Sequence, residues 1–347
     1  MPTIQQLGRG GAKAVYRALW ELQSHRTNKP VIETLFSEPA GLESASNSVV
    51  YSCDGPVYIE PQWGYIISEA GYIVEESVSP NFSHNKKPFG IATPSPFRFA
   101  AGKKRAIMVS TAVSLRHFWE WNYYHFYMDV LGKMDLLNQA GLDPSLPLVL
   151  AQYAHDLPFA RDLLACPPLS QRHWIVPKNE YVRAERVIFC RTSRPLKNRV
   201  SFLLKSLNIP VQYSHEEKRI FLNRSGTRRL TNIEAIQPIL DKYSFQIVDA
   251  AKMSVEEQIR LFAGTRYLIA IHGAGITNII FRGQGPLSLL ELHHEQLLNL
   301  DHKRMCDEMG HHWDHLEGKM APGHPHHADF AVSPEQLEAK IEALLTS

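Results

Sequence analysis

The sequence predicts an α/β protein with two Rossmann-like domains, and three observations lead to this prediction. Strand patterns alternate with helix patterns from residue 105 to 207, and a second alternating run extends from 218 to 292. Such alternation is typical of parallel sheets that are covered by helices on both faces. The chain has 347 residues, 44% of them hydrophobic and 21% charged, which is enough to form two hydrophobic cores.

The first run defines an N-terminal domain over residues 46–207, preceded by a helix near 11–23 and a polar connector that ends at 45. Its early part is rich in strand formers and contains a hairpin whose turn is Glu69-Ala70-Gly71. The later elements are a strand at 105–110, a helix at 122–139, a strand at 147–152, a helix at 159–166, a strand at 186–191 and a helix at 195–207.

The second run defines a C-terminal domain over residues 208–330. Its predicted strands are 218–224, 245–250, 267–271 and 287–292. Thr231-Asn232-Ile233-Glu234 and Ser254-Val255-Glu256-Glu257 have the pattern of capping boxes and predict two helix starts. A further helix is predicted from Ile276 to Phe281. Residues 331–347 are predicted to form a last helix that packs back on the first domain.

Charge and composition exclude several classes of protein. The formal net charge is only +2, which argues against a protein that coats nucleic acid. No apolar run reaches the length of a membrane span, and the first residues lack the apolar region of a secretory signal. Four cysteines lie far apart, without the spacing of a zinc site. We therefore expect a cytoplasmic protein with no integral membrane segment and no bound nucleic acid.

The strongest local signal is YLIAIHGAGITNIIF at 267–281, where an apolar strand runs through a Gly-x-Gly turn into a helix. A helix start offers unpaired N–H groups and the positive end of the helix dipole, which together can bind an anion. The side chains predicted to add donors are His272, Thr277 and Asn278. A tight turn without a ligand is the alternative interpretation.

A second signal is the arginine-rich loop NRSGTRRLTNIE at 223–234, which follows a predicted strand. Arg224, Arg228 and Arg229 surround a Ser-Gly turn, and guanidinium groups bind phosphate oxygens in a bidentate manner. The carboxyl end of a strand is also where open α/β sheets bind ligands. The alternative is a solvated basic loop.

A third signal is the aromatic segment HFWEWNYYHFYMDVLGKMDLL at 117–137. Asn122 is a candidate N-cap, and the four-residue spacing places His125, Asp129 and Lys133 on one stripe of the predicted helix. An imidazole and a carboxylate that are in contact can act as a general base, with either group taking the proton. The alternative is a buried hydrogen-bonded pair that stabilises the helix.

Histidines are concentrated near the C-terminus, where nine of the 17 fall between residues 293 and 327. His311 and His315 have the spacing of one helical turn, which could support a metal ion. Because no carboxylate pattern and no adjacent cysteine pair accompanies them, we expect a stretch that lies on the surface or lines a cleft. A metal-dependent hydrolase or lyase built on these histidines is the second functional hypothesis.

Three blocks resemble glycosyltransferase family 61: NYYHFYMDVL (122–131), RIFLNRSGTRRLTN (219–232), and EEQIRLFAGTRYLIAIHGAGITNIIF (256–281) continuing into LLEL (289–292). This resemblance implies a GT-B enzyme with two Rossmann-like domains that face a central cleft. It also implies an inverting, metal-independent sugar transfer. The co-substrate would be a nucleotide sugar, usually a UDP-sugar, and no other cofactor would be required.

The resemblance also implies roles for particular residues. Asp129 would be the catalytic base, with His125 as its rival, and Asn122, Tyr124 and Lys133 would lie on the acceptor side. Glu291 would bind the ribose of the nucleotide. The diphosphate would be bound by Arg224, Arg228, His272, Gly273, Ala274, Gly275, Thr277 and Asn278.

The resemblance further suggests a bacterial enzyme of capsule or lipopolysaccharide synthesis. Its acceptor would be an oligosaccharide or a lipid-linked glycan, and it could associate with the inner face of the cell membrane. A non-catalytic nucleotide- or glycan-binding protein on the same scaffold is the third hypothesis.

Overall fold

The computed structural model describes residues 30–38, 48–78, 95–191, 197–206, 217–283, 285–297 and 299–346. The helix predicted near 11–23 lies outside the described residues. The chain divides into two compact units. The first unit comprises residues 1–161 and 168–195, and the second comprises 162–167 and 196–347.

The first unit contains a seven-stranded mixed sheet. In chain order its strands are β1 (Val31–Glu38), β2 (Ser48–Ile59), β3 (Ile66–Ser68), β4 (Ile107–Ser114), β5 (Leu148–Val149), β6 (Trp174–Ile175) and β7 (Val182–Arg191). The spatial order is β1-β2-β7-β4-β5-β6, with β3 paired to β2. Strands β7, β4, β5 and β6 are parallel, whereas β1, β2 and β3 add antiparallel pairs. The predicted parallel arrangement is therefore confirmed for only part of this sheet.

The helices that precede residue 196 are short. They are α1 (Pro96–Gly102), α2 (Tyr123–His125), which continues as a π-helix (Phe126–Leu131), α3 (Lys133–Gln139), α4 (Gln152–His155) and α5 (Pro158–Leu164). Three 3-10 turns, Glu75–Ser77, Lys103–Arg105 and Leu169–Gln171, complete the list. The predicted turn at 69–71 is present: the N–H of Ser68 donates to the carbonyl of Tyr72 over 2.8 Å, and Gly71 has φ +92°.

The helix predicted at 122–139 is interrupted by the π-helix. The N–H of Gly132 donates to the carbonyl of Tyr127, five residues earlier, over 3.0 Å. A π turn contains more residues than an α turn, so later residues leave the stripe that an uninterrupted helix would form. Lys133 is accordingly buried, and its Nζ donates to the carbonyls of Leu115 (3.2 Å) and Arg116 (2.6 Å). Asp129 is buried as well and its charge acts on Lys133, so the stripe of His125, Asp129 and Lys133 stays a prediction.

The second unit contains a six-stranded sheet. Its strands are β8 (Lys218–Leu222), β9 (Gln246–Val248), β10 (Thr265–Ile271), β11 (Ser288–His294), β12 (His312–Met320) and β13 (Phe330–Ala331). Its helices are α6 (Lys197–Ser206), α7 (Ile233–Lys242), α8 (Val255–Ala263), α9 (Asp301–Met309) and α10 (Pro334–Leu345), with 3-10 helices at Ala250–Lys252 and Ala274–Arg282.

The strand order of the second unit is β13-β12-β11-β10-β8-β9. The strands from β12 to β9 are parallel, and only β13 pairs in the antiparallel direction. Counted from β8, the parallel strands have the order 2-1-3-4-5, one of the common doubly wound arrangements. After β8 the chain adds β9 on one side of that strand and then β10 on its other side. In such sheets ligands bind beyond the carboxyl ends of the strands at this switch point.

One of the two predicted capping boxes is present. Ser254 caps α8, with Oγ accepting from the N–H of Glu257 and the Glu257 carboxylate accepting from the N–H of Ser254. The box predicted at Thr231 is wrong, because α7 begins at Ile233 after an Asn232 whose side chain does not cap the helix. Thr231 and Asn232 instead donate to carbonyls of the segment that contains β13.

The last helix, α10, packs against α7 within the second unit, and its packing on the first domain stays a prediction. Leu337, Ile341 and Leu344 are buried in one hydrophobic cluster with Ile236 and Leu240 of α7. These apolar positions recur every three to four residues, which gives α10 one stripe to bury. Within the described part of the chain, no helix combines the length and apolar character needed to cross a lipid bilayer.

Candidate functional site

The switch point of the second unit brings the arginine-rich loop together with the turn His272-Gly273-Ala274-Gly275, called the HGAG turn below, as the sequence predicted. Arg224 follows β8 and His272 follows β10, on adjacent parallel strands. Nη1 of Arg224 donates to the main-chain carbonyl of His272 over 3.3 Å. A Cβ atom built on Gly273 would lie 2.0 Å from this Nη1. The missing side chain of Gly273 therefore makes room for the guanidinium group.

Arg228 lies beside Arg224 in a strained backbone conformation. Its φ is +60°, a region that residues with side chains rarely adopt, and its N–H donates to the carbonyl of His327 over 3.3 Å. Burial, reinforced by the charge of Arg224, lowers the pKa of Arg228 to about 10, while Glu291 opposes this shift. Burial also lowers the pKa of Arg224.

Both arginines retain unused hydrogen-bonding capacity. The Nε atoms of Arg224 and Arg228 are buried and have no hydrogen-bond partner among the described residues. Two neighbouring guanidinium groups with free donors repel each other, and an anion between them would remove the repulsion and accept the hydrogen bonds. This pocket therefore favours a phosphate-like ligand.

The HGAG turn leads into a 3-10 helix that begins at Ala274, two residues before the predicted start at Ile276. The N–H of Ile276 donates to the carbonyl of Gly273 over 3.0 Å. Ala274 and Gly275 are half-buried, and a Cβ on Gly275 would lie 3.4 Å from the Leu222 side chain. The first N–H groups of a helix have no partner within the helix, so the turn can add main-chain donors beside the arginines.

Thr277 and Asn278 are both fully buried. Asn278 Nδ2 donates to Oε1 of Gln258 in α8 over 2.7 Å, which fastens the 3-10 helix to α8. Oγ1 of Thr277 has no hydrogen-bond partner among the described residues. The role of these two residues as diphosphate donors stays a prediction.

Glu291 is the centre of a buried polar cluster. Its Oε1 accepts from Nδ1 of His272 (2.5 Å) and Nδ1 of His302 (2.7 Å), and its Oε2 accepts from Nε1 of Trp313 (2.9 Å). Glu291 is fully buried, but the adjacent histidines and their hydrogen bonds hold its pKa well below the ordinary value despite that burial. A carboxylate can only accept hydrogen bonds, so both imidazoles carry a proton on Nδ1.

This cluster shows which atoms of Glu291 and His272 are already in use. Both oxygens of Glu291 accept hydrogen bonds from inside the protein, and its contact with the nucleotide ribose stays a prediction. His272 uses Nδ1 for Glu291 and leaves Nε2 for a ligand. Burial is the main cause that lowers the pKa of His272, and the charges of His302 and Arg228 act in the same direction, while Glu291 opposes them.

The first unit contains the predicted His–Asp pair. Nδ1 of His125 and Oδ2 of Asp129 are 2.6 Å apart. Asn122 is the N-cap, as predicted, and its Oδ1 accepts from the N–H groups of Tyr124 (2.9 Å) and His125 (3.4 Å). The cap fixes the start of the helix that carries the pair.

Two aromatic residues complete this site, and the sequence analysis did not single them out. The rings of His117 and Trp119 stack on His125, with centroids 5.3 and 5.0 Å away. Nε2 of His117 is also 3.9 Å from Oδ2 of Asp129. Both residues precede the helix in a loop, where no periodicity relates them to His125. Their only signal was membership of the same aromatic segment.

Each residue that was predicted to lie on the acceptor side makes contacts within the fold. Asn122 is used as a cap, Lys133 is buried against main-chain carbonyls, and Tyr124 is buried with its ring edge-on to His125 at 5.2 Å. The acceptor-side roles of Tyr124 and Lys133 stay predictions. Trp121, by contrast, is 55% exposed and adjoins the cap in sequence. An exposed indole is a suitable stacking surface for a sugar ring.

The C-terminal histidines are not a single surface stretch. His293, His294, His302 and His311 are buried, whereas His312, His324, His326 and His327 are exposed. His311 precedes strand β12 and His315 lies within it, so the predicted spacing of one helical turn is wrong. Residues four apart on an extended strand are separated by about 13 Å, too far to share a metal ion.

Residues 123–287 match the family model described as Glycosyltransferase 61. This part of the chain is similar to the glycosyltransferase 61 family. The matched region includes the His125–Asp129 pair, both pocket arginines and the HGAG turn, while Glu291 and the C-terminal histidines lie beyond it. This similarity supports glycosyltransferase activity.

Two other comparisons add little to this assignment. No curated protein matches the chain. Among solved structures, one similar chain is described as the bacterial iron-containing dodecameric glycosyltransferase TibC from enterotoxigenic E. coli H10407. The identity is 8%, with 78% of this chain and 82% of that chain covered, and the TM-score is 0.31. A TM-score this low carries no argument about fold or activity.

Gly273→Ala is expected to weaken binding of a diphosphate ligand without unfolding the protein. The new Cβ would occupy the position of Arg224 Nη1, and a flexible guanidinium group can move away at little cost to the fold. Gly226→Ala is the matched control, because a Cβ there would meet nothing within 4 Å. Calorimetric titration with UDP measures the effect, and equal affinities for both variants would contradict the geometry.

Proposed function

We propose that this protein is an inverting glycosyltransferase that moves a sugar from a UDP-sugar to a hydroxyl group of a glycan acceptor. The observation that carries the proposal is the pocket at the switch point, where Arg224 crosses the HGAG turn beside Arg228. This cationic pocket lies in the region that matches a glycosyltransferase family model.

The second unit binds the donor in this proposal. Arg224, Arg228, His272 and the main-chain N–H groups from Gly273 to Gly275 receive the diphosphate. When the bond between the anomeric carbon and the diphosphate oxygen breaks, negative charge develops on the departing UDP. Fixed cations and amide dipoles stabilise this charge in the transition state. Because the arginines supply the positive charge, the transfer step needs no metal ion at the diphosphate.

The first unit supplies the base. The acceptor oxygen attacks the anomeric carbon as UDP leaves, and the proton of the acceptor hydroxyl passes to the His125–Asp129 pair. Asp129 takes this proton in the favoured assignment, and His125 takes it in the rival one, with Asp129 orienting the imidazole. A single displacement of this kind inverts the anomeric centre. The proposal includes a GT-B architecture in which one unit serves the donor and the other the acceptor.

The biological setting is proposed from the resemblance alone. The acceptor would be an oligosaccharide or a lipid-linked glycan of a bacterial surface polysaccharide, such as a capsule or lipopolysaccharide. The reaction would take place in the cytoplasm, at the inner face of the cell membrane.

Calorimetry with nucleoside diphosphates tests the donor assignment. We expect UDP to bind in the presence of a chelator, and at 100 times its dissociation constant to stabilise the fold by about 2.7 kcal/mol. If UDP, GDP, ADP and TDP all fail to bind or to raise the unfolding temperature, the proposed function is wrong. Binding of UDP without sugar transfer to any acceptor would favour the non-catalytic alternative.

Donor binding is expected to be accompanied by proton uptake at His272. Its Nδ1 proton is directed to Glu291, so Nε2 can donate to a phosphate oxygen only when the ring is protonated. In the free protein burial lowers the pKa of His272, and a bound diphosphate would raise it. Affinity for the donor should therefore increase as the pH falls and decrease as the pH rises.

Titration in two buffers of different ionisation enthalpy measures this uptake. A UDP-sugar is the better ligand for this experiment, because its diphosphate is esterified at both ends and does not itself titrate near neutral pH. The His272→Asn variant should bind without proton uptake. Identical heats in both buffers for the unmodified protein would show that His272 does not donate to the diphosphate.

A further inference from the structure

A second group of possible ligands lies on the sheet of the second unit, outside the residues assigned to the donor. Strands β11 and β12 are parallel, with Glu291 opposite His315 and His293 opposite Glu317. Side chains alternate between the two faces of a strand, so these four side chains and Trp313 share one face. His293 lies two residues beyond Glu291, about 7 Å along β11.

His293 has a buried nitrogen with an unused lone pair. The residue is 2% exposed, and its Nδ1 lies 3.1 Å from the carbonyl oxygen of His294. A carbonyl can only accept, so Nδ1 carries the proton and Nε2 is bare. Nε2 is buried and has no hydrogen-bond partner among the described residues. A buried polar atom without a partner costs free energy unless a ligand satisfies it.

His315 and Glu317 each place one further candidate ligand atom near His293. His315 is half-buried, and its ring stacks on Trp313 (5.0 Å) and on His293 (5.4 Å). Glu317 is exposed. One ligand atom from each of His293, His315 and Glu317 lies within 4.8 Å of the other two.

In two other groups of three residues, one ligand atom of each residue also lies within 4.8 Å of the others. Nitrogen atoms of these groups already form hydrogen bonds within the group. In the group of His272, Glu291 and His302, both Nδ1 atoms are hydrogen-bonded to the carboxylate. In the group of His117, His125 and Asp129, the His125 Nδ1 is bonded to Asp129. In the group on β11 and β12, the buried Nε2 of His293 has no hydrogen-bond partner in the part of the chain that the structure describes.

We propose that His293, His315 and Glu317 bind one divalent transition-metal ion, with at least one coordination position left for water. Two neutral imidazoles and one carboxylate suit zinc, iron, cobalt or nickel better than magnesium or calcium. The Nδ1–H of His293, directed to a carbonyl, is the outer contact that commonly orients a histidine ligand. The site is separate from the diphosphate pocket and does not depend on the proposed function.

Zinc titration of chelator-treated protein tests the site. We expect one tightly bound Zn²⁺ per chain, measured by calorimetry and by elemental analysis after dialysis. Glu317→Gln should weaken binding by at least about tenfold, and His315→Ala should abolish it. The double variant His326→Ala/His327→Ala is the matched control, because it removes two exposed histidines that a metal could bind adventitiously. It should bind Zn²⁺ like the unmodified protein.

Thermal unfolding separates a lost ligand from a damaged fold. Glu317 is exposed, so the Glu317→Gln variant should unfold at the same temperature as the unmodified protein when no metal is present. Added Zn²⁺ should raise the unfolding temperature of the unmodified protein more than that of the variant at the same Zn²⁺ concentration. The proposal is overturned if the unmodified protein binds no Zn²⁺, or if both Glu317→Gln and His315→Ala bind it with unaltered affinity.

Discussion

Asp129→Asn is expected to slow sugar transfer by about 10²- to 10⁴-fold, the usual contribution of a general base, and to leave donor affinity unchanged. If Asp129 takes the acceptor proton, the amide cannot replace it. If His125 takes the proton, the carboxylate that accepts from its Nδ1 at 2.6 Å is lost, and the ring is no longer held in the correct tautomer. Initial rates with saturating donor measure the effect.

A second His–Asp pair in the first unit supplies the control. Nδ1 of His155 and Oδ1 of Asp156 are 3.3 Å apart on an exposed surface. Asp156→Asn should transfer sugar at the unmodified rate. The assignment of the base then depends on comparing Asp129→Asn with His125→Ala: the variant with the larger loss identifies the group that takes the proton. Normal transfer by both variants would remove the pair from the mechanism.

The close approach of the arginine-rich loop to the HGAG turn could be predicted, because it depends on the order and direction of the strands. Arg224 and His272 each follow an apolar strand, and strand-helix alternation places both strands in one parallel sheet. The carboxyl ends of parallel strands lie at the same edge, so the loops that follow them must meet there. This argument needs no knowledge of side-chain packing.

The roles of individual side chains could not be predicted, because they depend on contacts between distant residues. Glu291 lies at the end of the strand that the sequence predicted but in the middle of β11, and its oxygens accept from His302 and Trp313, which lie 11 and 22 residues later in the chain. Lys133 follows a π turn, and a regular α periodicity cannot reveal such an insertion. The lone pair of His293 likewise depends on which ring nitrogen faces a carbonyl.

Arg224→Ala is expected to weaken UDP binding by about 10- to 150-fold, which corresponds to roughly 1.5–3 kcal/mol for a hydrogen bond to a charged group. The guanidinium group is half-buried, touches the His272 carbonyl and has a buried Nε without a partner, so it is positioned to donate to the diphosphate. Transfer should fall further than binding, because charge on the leaving diphosphate is greatest in the transition state. Arg224→Lys should restore only part of the affinity, since an ammonium group cannot donate in a bidentate manner.

Arg229 distinguishes this prediction from the simpler interpretation of a solvated basic loop. It belongs to the same loop and carries the same charge, but it is exposed and its Nη2 is paired with Asp329 at 2.8 Å. Arg229→Ala should therefore leave UDP affinity and transfer unchanged, whereas a loop that acts only through its net charge would lose as much affinity with either arginine.

Calorimetry at two salt concentrations makes the comparison decisive. Attraction to an exposed basic loop is screened by salt, while hydrogen bonds from a half-buried guanidinium group are much less affected. Equal losses in the two variants, or no loss in Arg224→Ala, would contradict the assignment of the pocket.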